Sequence, residues 1–334
     1  MKEQVGSINV RARRREKRNL WGIILAGGEG KRLQGFINKI YGSSRPKQYC
    51  NITGSKSLIR NTRDRALSII PQNRLITILN KTDYDFAMEE IGDQPPETFV
   101  IQPANRETTA GILLPLLKIY ISDKNAVVST FPSDHFIHEE IRFMKYVKEA
   151  YEFVRSNPDS IVLLGVKPQK YEPGYGWIEK HKLTQKNPNS RIHKVKGFRE
   201  KPTYETALEL MSKGALWNTF VLVGSAKTLI NNIKLFAGEV YEPFETILRS
   251  LGTPHENEVI NETYRIVPRL NFSSAVLEKI KDNLFVLEVP DVYWSDWGEE
   301  KRIYYDAEKF GSSLFDQNIY WRMKENLFPG IAGI

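Results

Sequence analysis

Three closely spaced glycines follow the first apolar run of the chain. Residues 23–33 read IILAGGEGKRL, and the segment 45–48, RPKQ, lies shortly after them. Glycine has no Cβ, so the backbone can turn sharply here and come close to a ligand. The amide N–H groups freed by such a turn, together with the cations Lys31, Arg32 and Lys47, favour an anion, and the phosphates of a nucleotide fit that requirement.

Two commoner glycine loops do not fit this segment. A P-loop ends in Gly-Lys and then a serine or threonine that binds Mg²⁺, whereas Arg32 follows Lys31, and Leu25 stands where the first glycine belongs. A dinucleotide-binding loop needs a small residue three positions after Gly30, and Leu33 is there. A dehydrogenase is therefore not expected. A loop that only forms a tight strand-to-helix turn remains an alternative on these residues alone.

Two aspartates stand where a metal could be held against a nucleotide. Asp134 comes soon after an apolar strand, and Asp296 lies between Trp294 and Trp297. Nucleotidyl transfer needs a metal, cations around the phosphates and an aligned nucleophile, and carboxylate oxygens suit Mg²⁺. Mg²⁺ is thus the expected cofactor, although either aspartate alone could be a turn residue. His135 is expected to give an orienting hydrogen bond, because no histidine pair has zinc-binding spacing.

The second half of the chain carries residues suited to a sugar phosphate. Gly176 would allow close approach of the backbone, and the side chains of Glu200 and Asn218 can bond hydroxyl groups. Lys201 supplies a positive charge for a phosphate. The aromatic residues between 175 and 177 are expected to pack in the core.

Composition excludes several classes of protein. The chain has 334 residues and a formal charge of +8, but much of the excess lies in a run of cations at 11–18. Residues 1–19 are therefore predicted to form a basic, flexible arm, without the apolar segment of a secretory signal, and no nucleic-acid partner is expected. No apolar run reaches the roughly 20 residues that span a bilayer, so membrane insertion is not expected. The single cysteine, Cys50, fits a reducing compartment, and we expect a cytoplasmic location.

Alternating strands and helices would position these residues. Apolar periodicity predicts strands at 21–25, 74–79, 99–101 and 126–131, with helices at 58–70, 83–91 and 108–122, where Ile121 would point inward. This order predicts βαβ units and a mostly parallel, Rossmann-like α/β sheet flanked by helices. Loops at the carboxyl ends of parallel strands share one edge, which gathers the glycine loop, 102–106 and 132–135 into one site.

The second half is less regular. Strands are predicted at 161–166, 195–199, 218–223 and 285–289, helices at 203–213 and over most of 225–251, and a loop at 171–179. We find no internal repeat and no flexible linker. Residues 20–310 are therefore predicted to form one catalytic domain, with a nucleotide half at about 20–160, a sugar-phosphate half at about 161–310, and a C-terminal extension at 311–334.

Six segments, taken in order, resemble one family. Residues 25–48 are similar to the signature of the sugar-1-phosphate nucleotidyltransferases, and the Pro-Lys-Gln ending resembles the mannose-1-phosphate guanylyltransferase branch. The further segments are QPANR at 102–106, PSDHFI at 132–137, GYGWIE at 174–179, FREKP at 198–202 with WN at 217–218, and WSDWG at 294–298. The resemblance covers roughly residues 20–300.

The resemblance implies a fold, a reaction and a site. The fold is the nucleotide-diphospho-sugar transferase fold with a sugar-binding lobe, and the reaction converts GTP and mannose 1-phosphate into GDP-mannose and pyrophosphate. The catalytic residues would be Arg32, Lys47, Asp134 and Asp296, with Mg²⁺ held by Asp134 and Asp296. The nucleotide would be bound by Leu25, Ala26, Gly27, Gly28, Gly30, Lys31, Arg32, Gln102, Asn105, Arg106 and Ser133. The sugar phosphate would be bound by Gly176, Glu200, Lys201 and Asn218.

The chain also departs from the family pattern. The connector at 34–44 is longer than usual, and Thr219-Phe220 stands where the family usually has a small residue and then glycine. No β-helix or isomerase domain is expected after the core. Two alternatives stay open, namely the same chemistry with another nucleotide and sugar phosphate, and a non-catalytic sugar-nucleotide sensor. The oligomeric state is also open, a homodimer included.

Overall fold

The computed structural model describes residues 19–54, 56–182, 190–311, 315 and 320. Of the predicted basic arm only Asn19 is described, and of the predicted C-terminal extension only residues 311, 315 and 320. Both predictions therefore lie outside the described residues for nearly all of their length.

The first half alternates strands with helices, as predicted. Its elements are β1 Leu20–Ala26, α1 Gln34–Tyr41, α2 Leu58–Leu67, β2 Leu75–Asn80, α3 Tyr84–Ile91, β3 Phe99–Gln102, α4 Glu107–Ser122, β4 Val127–Pro132, β5 Phe136–Ile137 and α5 Glu140–Ser156. The long connector of the sequence pattern thus contains a helix, α1. It buries Phe36, Ile37 and Ile40 on one face, which is the spacing of an amphipathic helix.

The second half continues the same sheet and adds a helical layer. Its elements are β6 Ile161–Val166, β7 Gly176–Lys180, β8 Ile192–Glu200, α6 Tyr204–Ser212, β9 Leu216–Ser225, α7 Ala226–Phe236, α8 Gly238–Ser250, α9 Glu256–Ile266, α10 Phe272–Ala275, β10 Leu284–Val289, β11 Trp294–Ser295 and α11 Glu300–Phe310.

One nine-stranded sheet runs through both halves. Its order is β3-β2-β1-β4-β9-β6-β10-β8-β7. The pairings β3–β2, β2–β1, β1–β4 and β6–β10 are parallel, while β8 and β9 are antiparallel to their neighbours. All strands of this sheet except β8 and β9 therefore run in the same direction, which confirms the predicted mostly parallel sheet.

Apolar side chains cover both faces of the sheet. Ile23 and Ile161 belong to a core cluster under α4, α7, α8 and α9, whereas the next residues, Ile24 and Val162, belong to a cluster under α2, α3, α5 and α6. Successive strand side chains point to opposite faces, so a run of apolar residues fills both layers. A third cluster packs α1 against α11 around Trp297.

Three details of the sequence prediction are wrong or incomplete. Residues 176–180 form β7 rather than a loop, because Trp177 and Ile178 are buried and pair with β9. Ile121 is 45% exposed, since it lies in the last turn of α4. Helices α5, α9 and α11 are absent from the predicted elements, although the buried residues of α5 have clear helical spacing.

Candidate functional site

Side-chain amides hold the glycine loop at the carboxyl end of β1. Gln48 Nε2 donates to the carbonyls of Ala26 at 3.1 Å and Gly28 at 3.0 Å. Asn80 Nδ2 donates to the carbonyl of Gly27 at 3.0 Å. A Cβ on Gly27 would lie 2.4 Å from Gln102 Nε2, so glycine is required for this approach. The loop is thus fixed by Asn80 at the end of β2 and by Gln48 in the helical turn 47–49 before any ligand binds.

A cavity of about 220 Å³ opens beside this loop. It is lined by Leu25, Gly27, Gly28, Ile78, Gln102, Asn105, Glu107, Thr108, Gly111, Pro132, Asp134, His135 and Phe220. The predicted nucleotide residues Leu25, Gly27, Gly28, Gln102 and Asn105 are therefore brought together with Asp134. A larger open groove of about 820 Å³ between α2 and α5 shares only His135 with it and lies away from the glycine loop.

Lys47 joins distant parts of the chain at the edge of this cavity. Its Nζ lies 2.9 Å from Asp134 Oδ2 and donates to the backbone carbonyls of Asp296 at 2.6 Å and Trp297 at 3.1 Å. The Lys47 side chain is only 3% exposed. A buried ammonium ion needs such partners, so the fold of this region depends on the cluster as well. The predicted catalytic residues Lys47 and Asp134 therefore contact each other, and the backbone of a third, Asp296, accepts a hydrogen bond from Lys47.

Arg302 fixes the Asp296 carboxylate. Its Nη1 lies 2.5 Å from Asp296 Oδ1, which also accepts the backbone N–H of Gly298 at 2.8 Å. Arg302 Nη2 lies 2.9 Å from Glu172 Oε1, and the guanidinium covers the Tyr175 ring at 4.4 Å. Burial alone would raise the pKa of Asp296, but Arg302, Lys47 and His135 together lower it. Asp296 is therefore kept ionised and oriented.

Asp134 is also kept ionised. Burial would raise its pKa, but the charge of Lys47, His135 and the Lys47 hydrogen bond lower it below its ordinary value. Burial lowers the pKa of the neighbouring His135, and the charges of Asp134 and Asp296 only partly offset this. His135 Nε2 lies 3.9 Å from Asp134 Oδ1.

The two carboxylates fit a divalent cation. Among the hydrogen bonds of the described residues, Asp134 uses Oδ2 and Asp296 uses Oδ1, so each keeps one further oxygen. No cluster of three or more histidine, cysteine or acidic side chains suited to a metal occurs in the described part of the chain. With one oxygen from each aspartate, most coordination positions of an octahedral Mg²⁺ would be left for water and phosphate oxygens. Mg²⁺ prefers this arrangement in proteins.

The cations of the glycine loop lie in different surroundings. A Cβ on Gly298 would lie 3.0 Å from Arg32 Nη2 and 2.6 Å from Asp296 Oδ2, so Arg32 reaches the same segment as the Asp296 carboxylate. Lys31 Nζ instead lies 2.5 Å from Glu29 Oε2, with its side chain 80% exposed. Gly30 has the left-handed backbone, with φ +60°, that starts the short helical turn carrying Arg32.

Three of the predicted sugar-phosphate residues meet where β7 lies between β8 and β9. A Cβ on Gly176 would lie 2.9 Å from Glu200 Oε2 and 3.3 Å from Asn218 Cβ, so glycine allows these side chains to pack closely against β7. Burial raises the pKa of Glu200, partly offset by Lys201. The Lys201 side chain is 58% exposed, with Nζ 3.9 Å from Glu200 Oε1.

Six predicted nucleotide residues do not line the cavity, namely Gly30, Lys31 and Arg32, described above, and Ala26, Arg106 and Ser133. Arg106 donates from Nε to the carbonyl of Tyr264 at 2.7 Å and from Nη2 to that of Arg265 at 3.1 Å, and so ties α9 to this loop. Ser133 is buried and donates its N–H to Leu25. Ala26 is also buried. Direct contact of these residues with a nucleotide stays a prediction.

Sequence reasoning missed several side chains that shape the site. Asn80 accepts from Gln102 Nε2 at 2.7 Å, and Tyr264 donates its hydroxyl to Gln102 Oε1 at 3.3 Å. Asn80 could have been predicted as a site residue, because it is a polar residue at the carboxyl end of a strand next to β1. Arg302 and Tyr264 have no local signal, because only the fold brings their helices to the site.

Comparison with known proteins identifies the family. Residues 21–312 match the family model described as nucleotidyl transferase. The chain belongs to the nucleotidyl transferase family. A mannose-1-phosphate guanylyltransferase of Escherichia coli is 25% identical over 284 residues, which cover 83% of this chain and 59% of the relative. One of Salmonella montevideo is 26% identical over 294 residues, covering 86% of this chain and 60% of the relative. The chain thus spans about three fifths of the length of these relatives.

Solved structures confirm the nucleotide-diphospho-sugar transferase fold of this nucleotidyl transferase. A Thermus thermophilus protein described as a mannose-1-phosphate geranyltransferase matches with a TM-score of 0.71 at 22% identity, covering 86% of this chain and 79% of that one. A Helicobacter pylori protein described as a mannose-6-phosphate isomerase has a TM-score of 0.65 at 22% identity, covering 83% and 99%. Within the described residues, none of the helices combines the length and the apolar character needed to cross a bilayer.

Proposed function

We propose that this protein joins a nucleoside triphosphate to a sugar 1-phosphate, forming a nucleotide sugar and releasing pyrophosphate. GTP and mannose 1-phosphate are the proposed pair. The observation that carries the proposal is the buried Lys47, whose Nζ contacts both Asp134 and the Asp296 segment beside the glycine loop. A fixed cation and two ionised carboxylates at the edge of a glycine-lined cavity are the parts that phosphoryl-transfer chemistry requires.

The nucleotide would bind with its nucleoside in the 220 Å³ cavity and its phosphates over the glycine loop. The amide network of Gln48 and Asn80 keeps that loop in place, so little ordering is needed when the ligand arrives. Arg32, at the Gly298 segment, would neutralise part of the triphosphate charge.

Asp134 and Asp296 would hold Mg²⁺ through the oxygens that Lys47 and Arg302 do not use. When bound, that ion would bring phosphate oxygens together and stabilise the negative charge of the departing pyrophosphate. Lys47 would act from the opposite side of Asp134, as a fixed positive charge close to the reacting phosphate.

The sugar phosphate would be oriented by Gly176, Glu200 and Asn218. Glu200 and Asn218 pack closely around Gly176, and the Glu200 carboxylate can accept hydrogen bonds from sugar hydroxyls. An oxygen of the sugar phosphate attacks the α-phosphorus in line, and pyrophosphate leaves from the other side. The attacking phosphate is already ionised, so no general base has to remove a proton.

The choice of GTP and mannose 1-phosphate is supported by the relatives. The two curated relatives above are mannose-1-phosphate guanylyltransferases, and both match over most of this chain. The similarity of segment 45–48 to that branch supports the same pair.

A pyrophosphate-release assay tests the proposal. Four nucleoside triphosphates are combined with a panel of sugar 1-phosphates, each with and without Mg²⁺, and omission of the sugar phosphate serves as the control. We expect the fastest release with GTP and mannose 1-phosphate in the presence of Mg²⁺. Another optimal pair would overturn the guanylyl assignment, and no turnover with any pair would favour the non-catalytic sensor.

A further inference from the structure

Strand β9 carries a bulge next to the candidate site. Its pairing with β6 passes from Leu163↔Leu222 to Gly165↔Asn218, so residues 219–221 of β9 stand opposite Leu164 alone. Extra residues in one strand of a pair bend the strand and re-aim a side chain, and bulges are frequent beside active sites. The central residue of this bulge is Phe220.

The backbone of Phe220 has a conformation that phenylalanine rarely adopts. Its φ is +60°, in the left-handed region that favours glycine. Two side chains hold it there, because Asn218 Oδ1 accepts its N–H at 3.1 Å and Thr130 Oγ1 donates to its carbonyl at 3.2 Å. Strained residues that are held so firmly cluster at functional sites.

The Phe220 side chain connects the two halves of the site. All the other lining residues of the 220 Å³ cavity named above come from positions 25–135, and Phe220 is the single one from beyond residue 160 in the described chain. Its N–H donates to Asn218, which packs beside Gly176. The bulge therefore places an aromatic ring in the nucleoside cavity and anchors it to the sugar-phosphate half.

We propose that Phe220 is a specificity-determining residue for the nucleoside. Its ring is an apolar wall of the cavity, and it restricts which base and ribose can be accommodated beside Asp134. This inference rests on the proposed function and assigns nucleotide selectivity within it. Phe220 also packs, partly buried, against the core cluster under α4, α7, α8 and α9, so its packing is measured by Tm and its effect on selectivity by the nucleotide ratio.

Two variants separate the ring from the strained backbone. Phe220→Ala and Phe220→Gly both lack the ring, but only the alanine keeps a Cβ at positive φ, so Phe220→Gly should have the higher Tm. Equilibrium binding of the four nucleoside triphosphates and kcat/KM are measured for each. We expect the ratio of kcat/KM between the best and the worst nucleotide to fall roughly tenfold in both variants. The KM for the sugar 1-phosphate should change by less than about twofold.

Phe285→Ala is the matched control. Phe285 is an aromatic residue on β10 that packs against Phe153 at a ring distance of 5.2 Å, away from the cavity. The Phe285→Ala variant should have a lower Tm and an unchanged ratio between the best and the worst nucleotide.

Three results would overturn the inference while the proposed function stands. They are an unchanged nucleotide ratio in both variants, an equal loss of affinity for all nucleotides, and a changed ratio in Phe220→Ala alone. A wild-type protein that neither binds nor turns over any nucleoside triphosphate would instead overturn the proposed function, and this inference with it.

Discussion

At the scale of single residues, the site consists of buried cations that are each paired with carboxylates. Lys47 contacts Asp134 and the Asp296 segment, and Arg302 links Asp296 to Glu172. The proximity of the glycine loop and Asp134 could be predicted from the sequence, because both follow strands whose ends share one edge of the sheet, whereas the roles of Lys47 and Asp296 are predicted from the resemblance of their segments to the family. The role of Arg302 could not be predicted from the sequence, because Arg302 reaches Asp296 only when α11 packs against Trp297.

Replacing Arg302 tests its role as a positioning residue. Lysine keeps the charge but cannot bond Asp296 and Glu172 at once, as the planar guanidinium does. We expect Arg302→Lys to lower kcat by roughly a hundredfold, because a displaced Asp296 misaligns the reacting groups. The KM for the nucleotide should stay close to that of the wild type, and Tm reports on folding. A loss in Tm with unchanged kcat would leave Arg302 with a structural role only.

At the scale of elements, the ends of β1, β2 and β3 form one hydrogen-bonded unit. Gln102 on β3 bonds Asn80 on β2, which bonds Gly27 after β1. The strands and the shared edge could be predicted from apolar periodicity. The bulge in β9 could not, because the sequence gives no sign of where β9 and β6 lose register, and the strained φ of Phe220 depends on Asn218 and Thr130.

A methyl group on Gly27 should disturb this unit. The added Cβ would lie 2.4 Å from Gln102 Nε2, so Gln102 must move and its bond to Asn80 is lost. We expect Gly27→Ala to weaken nucleotide binding by roughly tenfold, the effect of one lost buried hydrogen bond. Calorimetric titration with GTP measures it.

Gly35→Ala is the control for that substitution. Gly35 lies in α1, and a Cβ there has no neighbour within 4 Å. This variant should bind nucleotide like the wild type and be more stable by up to about 1 kcal/mol, since alanine favours a helix. Equal affinities in Gly27→Ala and Gly35→Ala would contradict the role of the network.

At the scale of the whole molecule, one sheet runs through both predicted halves. β9 belongs to the second half of the sequence but lies between β4 and β6, and Lys47 of the first half is bound to residues before α11. The α/β class and the mostly parallel sheet could be predicted from the alternation of elements. The place of β9 could not, since strand order depends on long-range packing rather than on local pattern.

This continuity predicts cooperative unfolding. The two predicted halves share core clusters on both faces of the sheet, so neither keeps a complete core without the other. Differential scanning calorimetry should show a single transition, which nucleotide binding moves to higher temperature. Two separate transitions, of which nucleotide shifts only one, would show that the halves are independent domains.

The most direct test of the account is the variant Asp134→Asn. Asparagine keeps the shape of the side chain but removes the negative charge that lies 2.9 Å from Lys47 Nζ and that would hold Mg²⁺. Pyrophosphate release with GTP and mannose 1-phosphate should fall by about a thousandfold or more, while circular dichroism keeps its wild-type shape and Tm falls, because the buried Lys47 loses its charged partner. Turnover at the wild-type rate in this variant would contradict the role of the Lys47, Asp134 and Asp296 cluster in nucleotidyl transfer.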